Sequence, residues 1–228
     1  MSRIEWNKSG ERFFEAGVDR GVLYPRFGSG VPWNGLTAIN ESSAGGDSES
    51  FYFDGVKYLD MVANEDFVAT LDAYSSPRQF DACDGAKQIS PGLLVTGQRR
   101  EQFGLCYRTL IGNDLQGEDY GYKLHIVYNC TASPASRTNQ TIAGTPNPGT
   151  RSWSINTVPP PSSTFRPTAH LVVDSTLVDP YLMADLESVL YGRDGGTNQP
   201  TIAPSLPTVQ EIVLILGNPI SELIEALI

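Results

Sequence analysis

The sequence predicts a mainly β protein: an antiparallel β-sandwich or partial barrel with a flanking α-helix and a helical C-terminal tail. Three observations carry that expectation. Apolar and polar residues alternate over long stretches, the period of a strand with one buried face. Gly and Pro, 22 and 16 among 228 residues, punctuate those stretches as turns do. Apolar residues at helical spacing are confined to the region after Asp179. With 40% hydrophobic residues the chain can bury a sizeable core. Its expected parts are a β domain over residues 1–191, with a helix near 180–191, and a Pro/Gly linker plus amphipathic tail over 192–228.

In chain order, strands are expected near Val22 to Phe27 and Leu36 to Glu41. Glu41 to Ser50 is poor in core residues and reads as a mobile loop in an isolated subunit. Phe51 to Tyr58 reads as a hairpin, because Asp54-Gly55 accepts the positive φ angles of a two-residue turn. From Phe67 to Tyr74, Phe67, Ala69, Leu71 and Ala73 alternate with Val68, Thr70, Asp72 and Tyr74. A second hairpin pairs Phe103 to Ile111 with Asp119 to Thr131 across the turn formers Gly112 to Gly117. Its second strand reads as half-buried, with Tyr120, Tyr122, Leu124, Ile126, Tyr128 and Cys130 on one face. Trp153 to Val158 and Ala169 to Asp174 complete the strands.

Asp179 is a suitable N-cap and Pro180 suits the first helical position, with Leu182, Leu186, Val189 and Leu190 forming a stripe before Gly192. Gly192 to Pro207 lacks apolar residues enough to order itself and reads as mobile. Thr208-Val209-Gln210-Glu211 reads as a capping box, Gly217 ends that helix, and Asn218-Pro219 opens a second short one.

The formal charge of -10 argues against gripping nucleic acid, which needs clustered Lys and Arg. No apolar run reaches the roughly 20 residues a membrane helix needs, and the N-terminus lacks a signal-like stretch, so synthesis in the cytoplasm is expected. Cys83, Cys106 and Cys130 are odd in number and widely spaced, as reduced core thiols would be. On that cytoplasmic expectation, the glycosylation-like strings Asn129-Cys130-Thr131 and Asn139-Gln140-Thr141 are coincidental.

His125 and His170 sit inside expected strands without metal-ligand spacing, and a structural role is expected for both. His170 to Thr176 holds the residue types of a hydrolytic triad, but a triad is a spatial arrangement, and a strand ending in a polar turn is the simpler reading. Glu65-Asp66 and Glu118-Asp119 precede strands, where solvated charge is ordinary. Arg99-Arg100 reads as a turn or an intersubunit ion pair, and Tyr120, Tyr122 and Tyr128 as core or interface packing residues. No catalytic residue, cofactor or metal is expected.

Five strings occur in order: Gly17 to Tyr24 (GVDRGVLY), Gly30 to Leu36 (GVPWNGL), Phe53 to Tyr58 (FDGVKY), Tyr107 to Asp114 (YRTLIGND) and Tyr120 to His125 (YGYKLH). As a collinear set, across roughly Gly10 to Leu206, they resemble the major tail tube proteins of siphophages infecting actinobacteria. The resemblance implies a tail tube β-sandwich with a flanking helix, polymerising into stacked hexameric rings that form a conduit for phage DNA. The implied partners are identical copies, the tape measure protein and DNA in the lumen without specific binding, and tail terminator and distal tail proteins at the ends. The implied location is the virion tail, with no membrane partner.

On that reading the excess of acid has a use. DNA carries a charge about every 1.7 Å of axis and would adhere to a basic wall; an acidic one lets it slide, with repulsion felt over about 8 Å. Asp72 is the expected lumen-facing acid. Glu41, Ser42, Gly45, Gly46, Asp47 and Glu49 are the expected contact with the adjacent ring, and the tail from Thr208 is expected to pack on its own sandwich or a neighbour. The alternatives are a tube subunit of a tailocin or gene-transfer particle, and a carbohydrate-binding β-sandwich using its tyrosines.

Overall fold

A computed structural model describes residues 3–133, 139, 141, 148–162, 166–196 and 200–217. Among these residues the fold is mainly β: twelve strands and two α-helices, with a short 3-10 turn at Arg78–Phe80. The strands are β1 Phe13–Pro25, β2 Val31–Pro32, β3 Leu36–Gly45, β4 Ser48–Phe53, β5 Val56–Val62, β6 Glu65–Ala73, β7 Lys87–Ser90, β8 Leu93–Val95, β9 Phe103–Asn113, β10 Gly117–Ser133, β11 Arg151–Thr157 and β12 His170–Asp174. The helices are α1 Pro180–Tyr191 and α2 Val209–Ile215. Eight strands form an antiparallel sheet in the order β2-β1-β9-β10-β11-β6-β3, with β12 also paired to β10, while β4-β5 and β7-β8 form separate two-stranded ribbons. The order has two ends, so these strands do not close into a barrel.

The chain divides into two compact units, one from the described parts of Met1–Trp33, Gly104–Ile126 and Val172–Ile228, the other from those of Asn34–Phe103 and Val127–Leu171. In the first, Leu23, Leu105, Leu124 and Ile126 are buried together with Met183, Leu186 and Leu190 of α1. Those three helical positions recur at i, i+3 and i+7, one face of a helix. Leu182 and Val189 of the expected stripe flank that face, half-buried. The Asp179 carboxylate accepts from the Tyr181 backbone N–H at 2.8 Å, and Gly192 ends the helix at φ 82°. The Tyr24 hydroxyl donates to the Leu190 carbonyl at 2.8 Å, satisfying one of the last helical carbonyls.

In the second unit Ala69, Leu71 and Ala73 face inward from β6 as the alternation expects, with Trp153 and Ile155 of β11. The Phe80 ring meets Phe103 and Trp153 edge-on, at centroid separations of 5.4 and 5.1 Å, the T-shaped geometry that ring quadrupoles favour. Trp153 pairs with Leu71 and Ile155 with Ala69 across the β11-β6 ladder, so the inward set shares one register.

Four expectations need correction. Glu41 to Ser50 is no loop: it is the end of β3 and the start of β4, because ladders with β6 and then β5 supply backbone hydrogen bonds even though neither face has apolar residues to bury. Gly192 to Pro207 is pinned where described, since Arg193 and Ile202 exchange backbone hydrogen bonds at 2.9 and 2.8 Å. The Ser205 N–H also donates to the Val189 carbonyl at 2.9 Å, and the Gly30 N–H to that of Pro204 at 2.8 Å. Backbone pairing there replaces the missing side-chain burial. β1 begins at Phe13, well before Val22, and β10 is buried on both faces from Leu124 to Tyr128. The capping box is present, with Thr208 Oγ1 accepting from the Glu211 N–H at 3.3 Å and the Glu211 carboxylate accepting from the Thr208 N–H at 2.7 Å. The second tail helix expected from Asn218 and the glycosylation-like string through Gln140 lie outside the described residues.

Candidate functional site

Residues 36–73 form one long hairpin in two segments. The proximal segment pairs β3 with β6 from Leu36↔Ala73 to Gly45↔Glu65, and the distal one pairs β4 with β5 from Ser48↔Val62 to Phe53↔Val56. Between them Gly45 and Gly46 take φ 87° and 77°, which lets the chain bend. A Cβ on Gly45 would lie 2.4 Å from the Asn64 carbonyl oxygen. The tip turns at Asp54 and Gly55, φ 50° and 75°, the two positive angles expected of this Asp-Gly pair.

The two faces of the distal segment differ. Register places Phe51 opposite Leu59, Phe53 opposite Val56 and Glu49 opposite Met61 on one face, with Tyr58 as an extra residue beside Phe53, ring centroids 6.5 Å apart. The other face carries Ser48, Ser50, Tyr52, Lys57, Asp60 and Val62. There Asp60 accepts from the Ser50 hydroxyl at 2.5 Å and ion-pairs with Lys57 at 2.5 Å. The Lys57 ammonium, and then the Ser50 hydroxyl, hold the Asp60 carboxyl below the usual carboxylate range. The apolar face has no such partners among the described residues: Phe53 and Val56 are each 69% exposed, and even the central pair Phe51 and Leu59 is 40% and 39% exposed. Contiguous exposed apolar rows of this kind are uncommon on the surface of a lone protein.

The expected contact residues distribute along this hairpin. Glu41 and Ser42 lie opposite Ala69 and Val68 in the proximal ladder, where the Ser42 hydroxyl donates to the Val68 carbonyl at 3.2 Å. Gly45, Gly46 and Asp47 form the bend, the Asp47 carbonyl accepting from the Ala63 N–H at 3.0 Å, and Glu49 begins the distal ribbon. Asp72 stands apart, half-buried on β6, accepting from the Asn40 amide at 3.4 Å. The apolar face itself was not among the expected contact residues, although its signal was present: Phe51 and Phe53 alternate on one strand while Leu59 and Met61 alternate on the other.

A second exposed ribbon, β7-β8, went unread in the sequence. Ser90-Pro91-Gly92-Leu93 is its turn, with Gly92 at φ 79° after a proline, and it exposes Ile89, Leu93 and Leu94. The Pro-Gly pair between apolar residues was the signal that could have found it.

The first unit carries an open cleft of about 500 Å³ lined by Phe13, Phe14, Ile111 and Tyr120 together with Glu15, Lys123, Asp174 and Thr176. The Phe13 and Tyr120 rings pack 5.0 Å apart. Both carboxylates are engaged: Glu15 with the Lys123 ammonium, and Asp174 with the Thr176 N–H at 2.9 Å and hydroxyl at 2.6 Å. Asp174, Ser175 and Thr176 are therefore a strand-ending turn, in which the Ser175 hydroxyl accepts from the Tyr122 N–H at 2.9 Å.

Beneath α1 lies a polar cluster. Arg108 grips Asp19 through two hydrogen bonds of 2.8 and 2.5 Å and covers the Tyr122 ring at 5.0 Å. That grip holds the Asp19 carboxyl below its ordinary range. Glu187 lies 4.0 Å from Arg20, whose guanidinium also covers the Tyr191 ring at 5.9 Å. Burial, and then hydrogen bonding to Glu187, pushes the Tyr122 hydroxyl up to about 12.

The three cysteines are buried free thiols, as expected. Burial pushes Cys83 and Cys106 up to about 12 and raises Cys130 as well, which leaves little thiolate at neutral pH. His125 stacks on Tyr107, centroids 4.6 Å apart, with its Nε2 3.0 Å from the Thr109 hydroxyl, and His170 lies 4.2 Å from the Phe67 ring. Arg100 donates to the Ala132 carbonyl at 2.6 Å and lies 3.6 Å from Asp84. Among the described residues no helix is long and apolar enough to cross a membrane.

No family model matches the chain, and no curated protein matches it. Among solved structures, a chain of the anti-feeding prophage baseplate, seen by cryo-electron microscopy with six-fold symmetrisation, is similar at a TM-score of 0.38 and 8% identity, over 76% of this chain and 100% of that one.

Proposed function

We propose that this chain is a structural, non-enzymatic subunit of a phage-like particle, the major tail tube protein, polymerising into stacked hexameric rings around a channel for DNA. The observation that carries this reading is the bare apolar face of the distal hairpin, since such a face on a lone molecule invites association. The open sheet supports it too, because β2 and β3 end the strand order and present edges that an identical copy can complete. The collinear sequence resemblance supplies the tube and its cargo. Glu41 to Glu49, at the bend and the root of the distal ribbon, remain the proposed contact with the adjacent ring, and Asp72 the proposed lumen-facing acid.

Negative-stain microscopy of the purified, concentrated chain tests the proposal. Hollow tubes of stacked rings are expected. A monomer at every concentration that instead binds glycans through its exposed tyrosines would overturn it in favour of a carbohydrate-binding module.

A further inference from the structure

We propose that the Phe13–Tyr120 cleft binds a short neutral oligosaccharide, with sugar rings laid on its aromatic side chains and their hydroxyls on its polar ones. This goes beyond the tube reading, which gives the cleft no role. The cleft is a built feature. Two of its walls, Phe14 and Thr176, rest on glycines of the paired strands β9 and β10. A Cβ on Gly112 would collide with the Phe14 ring, and one on Gly121 would lie 2.5 Å from the Thr176 methyl. Neither glycine has a positive φ, so the missing side chains supply space and not backbone freedom. Glycine otherwise weakens a strand, and within one it marks places where a ligand or another chain segment comes close. The volume of about 500 Å³ falls within the roughly 300–1,000 Å³ of clefts that hold small ligands.

The composition of the walls selects the ligand. Phe13, Phe14 and Tyr120 are 54%, 46% and 36% exposed, so ring surface stays open beside the Phe13–Tyr120 contact. The C–H face of a pyranose buries apolar area against such rings. The polar lining offers donors and acceptors together. Lys123 gives one N–H to Glu15 and keeps two, Asp174 uses Oδ1 for both of its bonds to Thr176, and the Thr176 hydroxyl retains lone pairs with which to accept. Sugar hydroxyls each donate and accept, so they match this set. Charge and polarity narrow the class further. Two carboxylates against one ammonium leave the lining net negative, which opposes a phosphorylated or acidic ligand. The ammonium opposes an organic cation, which needs only rings and acceptors around it. A wholly apolar ligand would leave the polar groups of the cleft without partners.

Saturation-transfer NMR on the full chain, dilute and unassembled, tests this with chitotriose and cellotriose as probes, both built of pyranoses with equatorial substituents. Transfer to the sugar C–H protons is expected from the wild-type chain. Affinity should fall about tenfold in Tyr120→Ala, which removes one ring. It should fall by a smaller factor in Thr176→Val, an exposed change that keeps the side chain's shape and removes its hydroxyl. Tyr52→Ala with Tyr58→Ala, on the distal ribbon, should leave it unchanged. No transfer from the wild-type chain would overturn the proposal, as would binding that survives both cleft variants or that is lost with Tyr52 and Tyr58. Transfer to choline in place of the sugars would also overturn it, in favour of a cation site. The tube reading fails separately, by microscopy: a chain that binds these sugars through the cleft and forms no tubes sinks only the tube, and tubes from a chain that binds no sugar sink only the cleft.

Discussion

The two segments of the 36–73 hairpin are built from the same kind of chain and meet opposite fates. Both alternate apolar and polar residues, and both are antiparallel ladders carrying acidic residues. Yet Leu71 in the proximal segment is 0% exposed, whereas Leu59 in the distal one is 39% exposed. The difference lies in what flanks them. β6 sits between β11 and β3 with its inward face buried, while among the described residues β4 and β5 pair only with each other. Alternation thus states that a face is apolar and says nothing of whether the chain itself covers it.

The largest expected effect bears on the buried side of that comparison. Phe80→Ala removes the ring shared by Phe103 and Trp153 and should cost about 3–5 kcal/mol in urea unfolding; a loss under about 1 kcal/mol would show that this core is not what holds the proximal segment. Next, Leu71→Ala should cost about 2–5 kcal/mol, whereas Leu59→Ala should change monomer stability by no more than about 0.5–1 kcal/mol. Equal losses in a matched denaturation series would break the comparison outright.

At the bend, Gly45→Ala places a Cβ 2.4 Å from the Asn64 carbonyl oxygen at a φ of 87°. A loss of about 1–2 kcal/mol is expected from the left-handed conformation, and amide exchange should quicken in the distal segment before the proximal one. Uniform exchange would mean that the two segments open together.

The smallest effect concerns ion pairs. Asp19 has its carboxyl lowered by Arg108, so its contribution is present above the unfolded carboxylate range and fades as pH falls through the lower folded value. Its side chain is 42% exposed, so screening should keep that contribution to under about 1 kcal/mol. Asp19→Asn should flatten the acid limb of stability slightly, and Asp60→Asn, whose carboxyl Lys57 also holds low, should flatten it less because that pair sits on the exposed distal ribbon. An acid limb set by Asp60 instead would reverse the assignment.

Much of this fold was legible because the signals are local. Asp54-Gly55 demanded its turn, Thr208 and Glu211 their capping box, Asp179-Pro180 their helix start, and Phe67 to Ala73 their inward face. Where the reading failed, a distant partner was responsible. Glu41 to Ser50 and the described part of Gly192 to Pro207 look unstructured by composition, but hydrogen bonds with β6 and β5, with Val189 and with Gly30 hold them. The candidate site was half legible: the expected contact residues from Glu41 to Glu49 lie on the same hairpin as the apolar face, which itself went unassigned.

By itself the sequence determined the class of the fold, the phase of its strands, the caps of its helices and the excess of acid, because each depends on neighbours a few residues apart. Tertiary structure alone decided which apolar faces are covered and which stay bare. Coverage requires a second surface brought from far along the chain, as β11 is brought to β6, and the distal ribbon receives none from among the described residues.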